Sequence, residues 1–382
     1  MCCRSWGDCW MSKLLDIFDD VTRLGTKIPT SEYQKYGEYP IFDQGQEYIS
    51  GYTCEKEGIY ENVPAIIFGD HTRVLKYVDM PCFLGADGVK LIKAKRNDVN
   101  TKYLFYRLCA ADIPNTGYNR HFKWLKEVEF MLPSFEEQKE ISSNLDKVTH
   151  AIDLCNTILE KLDLLVKSQF VEMFGDPIDN PKGWNVKPLK ELSSLITNGN
   201  TPKGGSENYI DNGVTFLRSQ NIWRNKIDLS DVVYIDEITH RKMQKSSVRY
   251  KDILITKTGR VNTENSSLGR AALFLGKDGT ANINGHVYLV RLNNSVVPEY
   301  VVTILTGEAY RKYIRKVCVG GIDKRQINLD QVEDFPIILP PIEQQNQFAD
   351  FVQQVDKSKL AVKKTLEKAG TLKKALMQEY FG

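Results

Sequence analysis

The chain contains a long internal repeat. Residues 132–175 align without a gap with residues 339–382 at an offset of 207, and 13 of the 44 aligned positions are identical. Both copies begin with Leu-Pro, carry Glu and Gln at their fifth and seventh positions, and close with Phe-Gly. Because chance rarely produces such a match, we infer that the chain contains two copies of one structural unit.

A different region precedes each copy. Four residues at the start of the first region recur with the same spacing 174 positions later. Because the repeated segments themselves are 207 positions apart, the second region is 33 residues longer. The matched residues are Trp10, Lys13, Leu15 and Gly25 with Trp184, Lys187, Leu189 and Gly199. We therefore expect four segments, 1–131, 132–175, 176–338 and 339–382. Residues 1–10 are expected to be a leader, with Met11 as the candidate start.

Each repeated segment is predicted to be a helix with a coiled-coil seam. Apolar residues recur at alternating intervals of four and three from Ile141 to Val166, which is the 3.5-residue period of an a/d seam. Each helix should span about 38 residues, or roughly 57 Å. Lys359 and Lys373 interrupt the second seam, so we expect helices of a partner to complete the bundle. The seam residues for partner helices are Leu145, Ile152, Leu159, Leu162, Val352, Val362 and Leu366.

The two variable regions are predicted to be mixed α/β. Strand-like runs cover 64–69, 74–79 and 89–95 in the first region, and 252–259, 271–276 and 287–292 in the second. Helices are expected at 101–110 and 298–316, and a glycine with a basic cluster follows each of them, at 117–123 and 320–326. The predicted fold class is therefore α/β, with two mixed α/β domains separated by two long helices that form an antiparallel coiled coil with pseudo-two-fold repetition.

Catalytic and metal-binding signatures are missing from the sequence. It has no GxxxxGK[ST] phosphate loop, GxGxxG turn, HExxH pair or GxSxG elbow, which favours a binding protein over an enzyme. The eight cysteines include no CxxC pair, so neither a disulfide framework nor a zinc ribbon is expected. Cys2, Cys3 and Cys9 are only a weak metal candidate. With no secretion signal and no long apolar run, we expect a cytoplasmic protein without a membrane partner.

Basic side chains are concentrated in the second variable region. Residues 176–338 carry 23 basic and 18 acidic side chains, a net charge of +5, whereas residues 1–131 carry −1. Lys and Arg close to Tyr, Asn and Gln suit phosphate and base-edge contacts, although a charge run is more often a solvated face. The DNA-binding candidates are His71, Arg73, Lys76, Arg120, Lys123, Arg218, Lys257, Arg260, Lys324 and Arg325.

The sequence resembles the specificity subunits of type I DNA restriction-modification systems. The resemblance covers nearly the whole chain and rests on the Leu-Pro-x-x-Glu-x-Gln corner at 132–138 and 339–345, which leads each time into a long helix. The junction at 174–184, with FGDP and NP, and the segments 41–52 and 67–77 also look like this family. The leader with its three cysteines departs from the family pattern.

The resemblance implies a non-catalytic subunit that binds double-stranded DNA. Each α/β region would be a target-recognition domain that reads one half of a bipartite, asymmetric site. The helices would act as spacers and as docking surfaces for two adenine-methylating modification subunits, with a restriction subunit as a further candidate partner. No cofactor is expected in this chain; S-adenosylmethionine, ATP and Mg²⁺ would be held by the partner subunits.

Two alternatives remain open at the level of the sequence. One is a coiled-coil scaffold or regulator that does not bind DNA, and the other is a single-chain modification enzyme with an atypical site. The first predicts no DNA shift when a modification subunit is present. The second predicts methylation or cleavage by the purified chain alone.

Overall fold

Each copy of the repeat forms one continuous helix. The first long helix is Phe135–Phe174 and the second is Ile342–Phe381, each 40 residues in length, in a computed structural model that describes residues 11–85, 88–263 and 265–382. The expected leader, with Cys2, Cys3 and Cys9, lies outside the described residues. Pro133 and Pro341 stand just before the helices, and Gly175 follows the first one at a φ of 80°, a left-handed conformation that favours glycine.

The chain packs into two units, and each long helix is divided between them. The first unit consists of the described residues of Met1–Thr157 together with Lys363–Gly382, and the second is Ile158–Val362. The sequence-based boundaries place each helix in a segment of its own, whereas packing gives one part of each helix to each unit. This division does not follow the four predicted segments, so their boundaries stay a prediction.

The first unit combines short strands with short helices. Its helices are Leu14–Ile17, Thr101–Cys109 and Phe122–Leu125. Its strands are Met11–Lys13, Phe18–Asp20, Lys27–Ile28, Tyr39–Phe42, Gly51–Thr53, Ala65–Gly69, Leu75–Val78, Phe83–Gly85, Val89–Ala94 and Glu129–Met131.

The second unit also combines short strands with short helices, and among the described residues it has more of both. Its helices are Glu237–Lys242, Pro298–Thr306, Glu308–Val317 and Leu329–Glu333. Its strands are Asn185–Pro188, Ser193–Asn198, Val214–Leu217, Ile222–Trp223, Lys226–Ile227, Val233–Ile235, Ile253–Thr256, Thr258–Arg260, Ala271–Leu273, Ala281–Ile283, Val287–Leu292, Val319–Gly320, Lys324–Gln326 and Pro336–Leu339.

An antiparallel four-stranded sheet forms the centre of each unit. In the first unit its strand order is 18–20, 89–94, 65–69 and 75–78, and in the second it is 193–198, 287–292, 253–256 and 271–273. One face of each sheet packs against the helix that follows it in the chain: Phe68 and Leu104 belong to one core, and Ile255 and Val301 belong to the other. The predicted mixed α/β class and the two long helices are confirmed.

One predicted helix is wrong as a single element. The segment 298–316 forms two helices, Pro298–Thr306 and Glu308–Val317, which are separated by Gly307. Gly307 is extended, with a φ of −65° and a ψ of 154°. Glycine has a low helix propensity, so a break between two amphipathic turns costs little there.

The ends of the long helices complete the cores in a crossed manner. In the first unit Phe381, from the second long helix, packs against Tyr103, with the ring centres 5.5 Å apart. In the second unit Phe174, from the first long helix, packs 4.9 Å from Tyr300. Phe174 and Phe381 are equivalent positions of the repeat. Each core therefore contacts the Phe-Gly end of the other copy, with Phe174 fully buried in the second core and Phe381 half-buried at the edge of the first.

The two long helices run antiparallel where they meet. Within the second unit, Lys359 Nζ lies 2.6 Å from the Asp163 carboxylate, and the ring centres of Phe170 and Phe348 lie 5.5 Å apart. A later residue of one helix therefore meets an earlier residue of the other. Lys359, expected to weaken the seam, thus has an acidic partner on the first long helix. The predicted seam is buried at Leu145 and half-buried at its other positions.

Candidate nucleic-acid interface

In each unit the third strand of the four-stranded sheet, 65–69 or 253–256, is the central strand, and the same backbone hydrogen bond holds a loop against its end. In the first unit the amide of His121 donates to the carbonyl of Asp70, which directly follows the strand 65–69, at 2.8 Å. In the second unit the amide of Ile327 donates to the carbonyl of Lys257, which directly follows the strand 253–256, at 2.9 Å. These bonds define two loop pairs, residues 70–73 with 116–121 and residues 257–261 with 319–327.

Side chains reinforce the anchor of the first loop pair. Asp70 is buried, and its carboxylate accepts a hydrogen bond from the amide of Phe122 at 2.8 Å. The His121 ring, also buried, donates from Nδ1 to the Asp70 carbonyl at 2.9 Å. The buried polar groups are thereby satisfied, which fixes the base of the loops.

The tip of the first loop pair carries an aromatic stack. The rings of His71 and Tyr118 lie 4.6 Å apart and 6° from parallel, and His71 Nδ1 donates to the Asn119 carbonyl at 3.3 Å. Gly117 has a φ of 76° and permits the tight turn. Tyr118 is 87% exposed, and the exposed Arg120 follows it closely. This tip offers a ring face, polar groups and a positive charge together.

The second loop pair is a three-stranded ribbon with basic side chains. Strand 324–326 pairs with strands 258–260 and 319–320, and Arg260 stands opposite Lys324. Arg260 Nε lies 3.3 Å from the carboxylate of Asp323, and Arg325 Nε donates to the Gly321 carbonyl at 3.2 Å. The structure therefore brings together four predicted residues far apart in sequence: Lys257, Arg260, Lys324 and Arg325.

A buried tyrosine supports this ribbon from below. The hydroxyl of Tyr288 donates to the carbonyl of Ile327 at 2.9 Å, and Lys257 Nζ lies 5.7 Å from the Tyr288 ring centre. Burial, with a smaller contribution from the charge of Asp330, raises the pKa of Tyr288 to about 12. Tyr288 is therefore a neutral donor throughout the physiological range.

The prediction for Lys76 needs correction. Its side chain is only 3% exposed, with Nζ lying 3.7 Å from Asp43 and 3.5 Å from the hydroxyl of Ser50. Burial lowers the pKa of Lys76, and the charge of Asp43 acts in the opposite direction. An ammonium with these interior partners cannot reach a phosphate from this position, so Lys76 has a structural role.

Three other predicted residues are only partly available for a ligand. Arg218 is outside both loop pairs and binds Asp231, donating to its carbonyl at 2.7 Å. Arg73 lies in the first loop pair, but its guanidinium donates to the Ile113 carbonyl at 3.0 Å. Lys123 is exposed just after that loop pair, with Nζ 4.1 Å from the Trp124 ring centre.

The sequence pattern predicts the two loops but does not indicate two of their most exposed side chains. Tyr118 and Ile322 fall within the glycine-rich basic clusters at 117–123 and 320–326, and they are 87% and 90% exposed. The glycine before each of them was the only available signal. The sequence pattern also does not indicate the structural role of Gln138 and Gln345, which are buried at the Leu-Pro corners.

No group of three or more His, Cys, Asp or Glu side chains suited to a metal occurs among the residues that the structure describes. Within that same part of the chain, no helix has the length and apolar character needed to cross a bilayer. Exposed Lys and Arg beside amide and ring groups form an arrangement suited to nucleic acid, in which cations meet phosphates and the polar groups face base edges.

The long helices also expose apolar side chains outside the predicted seam. Leu165 is 45% exposed and Leu372 is 50% exposed, and the two occupy equivalent positions of the repeat. Leu164 and Leu360 are exposed as well, at 61% and 56%. Singly exposed leucines are common on proteins, and only a contiguous group of them marks a surface that meets another protein.

Comparison with known protein families also supports a protein that binds nucleic acid. A family model described as the type I restriction modification DNA specificity domain matches residues 8–164 and 181–369. The specificity subunit of the EcoR124I/EcoR124II type I restriction enzyme of Escherichia coli is 21% identical over 344 residues, or 86% of this chain and 82% of that protein.

Two relatives from Methanocaldococcus jannaschii match over a shorter stretch. The putative MjaX specificity subunit is 26% identical over 53% of this chain, and the MjaIX specificity subunit is 27% identical over 60% of it. These alignments span about half the length of each relative, 46% and 54%.

A solved structure shares the fold. The type I restriction-modification S subunit from M. genitalium aligns with all of this chain and 98% of its own, with a TM-score of 0.65 and 14% identity.

Proposed function

Since the chain belongs to the type I restriction modification DNA specificity domain family, we propose that it is the DNA-reading subunit of such a system. The first and second loop pairs each read one half of a bipartite, asymmetric site in double-stranded DNA. The observation that carries the proposal is their common construction: in both units a basic loop is fixed to the residue that follows the central strand.

The proposed mechanism is recognition without catalysis. Exposed Arg and Lys side chains neutralise phosphates and set the register on the duplex, while ring, amide and apolar groups of the loops contact base edges. The second loop pair is the more basic, because Arg260, Lys324 and Arg325 lie on one ribbon. Methylation of adenine is assigned to modification subunits, which would carry S-adenosylmethionine; ATP and Mg²⁺ would serve a restriction subunit.

Two modification subunits are proposed to bind each chain. The repeat offers two similar corners at 132–138 and 339–345, and the exposed Leu165 and Leu372 are equivalent positions. Native mass spectrometry of the co-expressed complex tests this number. A saturated ratio of one modification subunit per chain contradicts the two-site proposal.

Methylome sequencing tests the function directly. A host that expresses this chain with its modification subunit should gain methylated adenines in one bipartite motif, and the motif should disappear when this chain alone is removed. Methylation by the purified chain by itself would support the single-chain enzyme. No DNA shift by a fully assembled complex would support the scaffold.

The salt dependence of binding tests the second loop pair. Each lost phosphate contact should flatten the slope of log K against log salt by about 0.9. We expect the double variant Lys324→Ala, Arg325→Ala to weaken binding and flatten the slope. The matched control is Arg241→Ala, Lys242→Ala, which also removes one Lys and one Arg, from exposed positions on a helix of this unit outside the loop pair. Equal effects of the two double variants would show that only total charge matters.

A further inference from the structure

Two apolar side chains protrude from the loop pairs. Among the large apolar side chains of the described residues, Ile322 and Tyr118 are the most exposed, at 90% and 87%. One lies in each unit: Tyr118 directly follows Gly117, which has a φ of 76°, and Ile322 lies two residues after Gly320, which has a φ of 129°. Isolated exposed apolar side chains are common on proteins, but their occurrence at the tips of both basic loops requires an explanation.

The loops that carry these side chains are well anchored. Tyr118 is stacked on His71, and the Asn119 side chain donates to the Thr116 carbonyl at 2.5 Å. Near Ile322, the amide of Val261 donates to the Asp323 carbonyl at 3.0 Å. The exposure of both tips is therefore built into hydrogen-bonded turns.

Positive charges follow each tip in the chain. Arg120 is two residues from Tyr118, and Lys324 and Arg325 are two and three residues from Ile322. Cations at this spacing would hold phosphates close to the loop, which would place the neighbouring apolar side chain near a groove. Apolar side chains in a groove contact thymine methyl groups or wedge between base steps.

We propose that Tyr118 and Ile322 are base-contacting, specificity-determining residues, one for each half-site. This inference rests on the proposed function and adds the side chains through which each unit discriminates sequence. Tyr118 presents a ring already held flat by His71, whereas Ile322 presents an aliphatic tip. The two units would thus use different apolar chemistry on loops that are anchored alike.

Binding to two duplexes tests the proposal with the fully assembled complex. One duplex carries the motif found by methylome sequencing, and the other has both half-sites scrambled. Tyr118→Ala and Ile322→Ala should each weaken binding to the motif about tenfold, since one apolar base contact is lost. Binding to the scrambled duplex and the salt slope should stay at wild-type values, because no phosphate contact changes.

Matched variants separate the tips from general effects of truncation. Tyr36 is 76% exposed and Ile238 is 67% exposed, and both lie outside the loop pairs. Tyr36→Ala and Ile238→Ala should leave affinity for the motif unchanged. Tyr118→Phe should retain most of the affinity, because the ring is preserved. Thermal unfolding of all variants verifies that the loops are intact.

The location of the effect is the sharper measurement. Methylomes of the two tip variants should show relaxed sequence preference in one half of the motif, a different half for each variant. Wild-type binding and wild-type methylomes for both tip variants would overturn the inference while the proposed function stands. Failure of the wild-type complex to bind the motif duplex would overturn the proposed function itself. Loss of modification subunits from the variants in native mass spectra would also overturn the inference, since the tips would then be protein contacts.

Discussion

At the residue scale, the glutamine of the repeated corner has the same task in both copies. Gln138 accepts from the amide of Asn100 at 2.8 Å and donates to the Pro133 carbonyl at 2.9 Å. Gln345 accepts from the amide of Val297 at 3.1 Å and donates to the Pro340 carbonyl at 2.9 Å. Each glutamine therefore ties the start of a long helix to the start of the helix that packs on the sheet.

Removal of this side chain should destabilise the protein. Gln345→Ala leaves the Val297 amide and the Pro340 carbonyl without their partner, at a cost of about 1–3 kcal/mol in the free energy of unfolding. Chemical denaturation measures the change. Gln347→Ala, at an exposed position two residues later, is the control and should stay within about 0.5 kcal/mol of wild type. Equal stability of the two variants would contradict the assigned role.

Tyr288 should make stability depend on alkaline pH. Its pKa is about 12 in the folded protein, against about 10 in the unfolded chain, so the folded state retains a proton that the unfolded state loses. This contribution is fully present below pH 10 and is lost as pH rises through 12, amounting to about 2–3 kcal/mol. Denaturation curves between pH 9 and 12 should show this loss for wild type relative to Tyr288→Phe. Parallel pH profiles for the two proteins would contradict it.

At the element scale, the crossed helix ends predict where a substitution is felt. Phe174 belongs to the first copy of the repeat but is fully buried in the core of the second unit, against Tyr300 and Phe348. Phe174→Ala should cost about 3–5 kcal/mol. Hydrogen exchange should show reduced protection in the helix 298–306. Val171→Ala, at a 58% exposed position on the same helix, is the control, and matching exchange patterns would argue against the crossed arrangement.

The sequence predicts some elements better than others, because some are determined by neighbouring residues and others by residues far apart in the sequence. The long helices were predicted closely because their apolar period is local and repeated twice. The break at Gly307 was missed because the apolar pattern continues on both sides of the glycine. The basic loops were located by their glycines, but Lys76 was misassigned, since its burial depends on Asp43, a residue 33 positions earlier that the fold brings alongside. The exposure of Tyr118 and Ile322 is likewise decided by how distant segments anchor the loops.

At the scale of the whole molecule, the two loop pairs should act independently. Their equivalent anchors carry unlike surfaces, an aromatic stack in the first unit and a basic ribbon in the second. Replacing residues 11–131 with the corresponding region of a relative should therefore change one half of the methylated motif and leave the other half intact. Methylome sequencing of the chimera measures this directly. A change in both halves would show that the units read DNA jointly.

The crossed helix ends also impose an order on synthesis. Tyr103 is translated early, but its partner Phe381 is made only after the entire second unit, Ile158–Val362. At about 5–20 residues per second, those 205 residues take roughly 10–40 s. During this interval the apolar surface beside Tyr103 that Phe381 later covers stays exposed in the nascent first unit, and exposed apolar surface is what chaperones bind. The protein should therefore mature late, with its N-terminal half among the last parts to reach the native state.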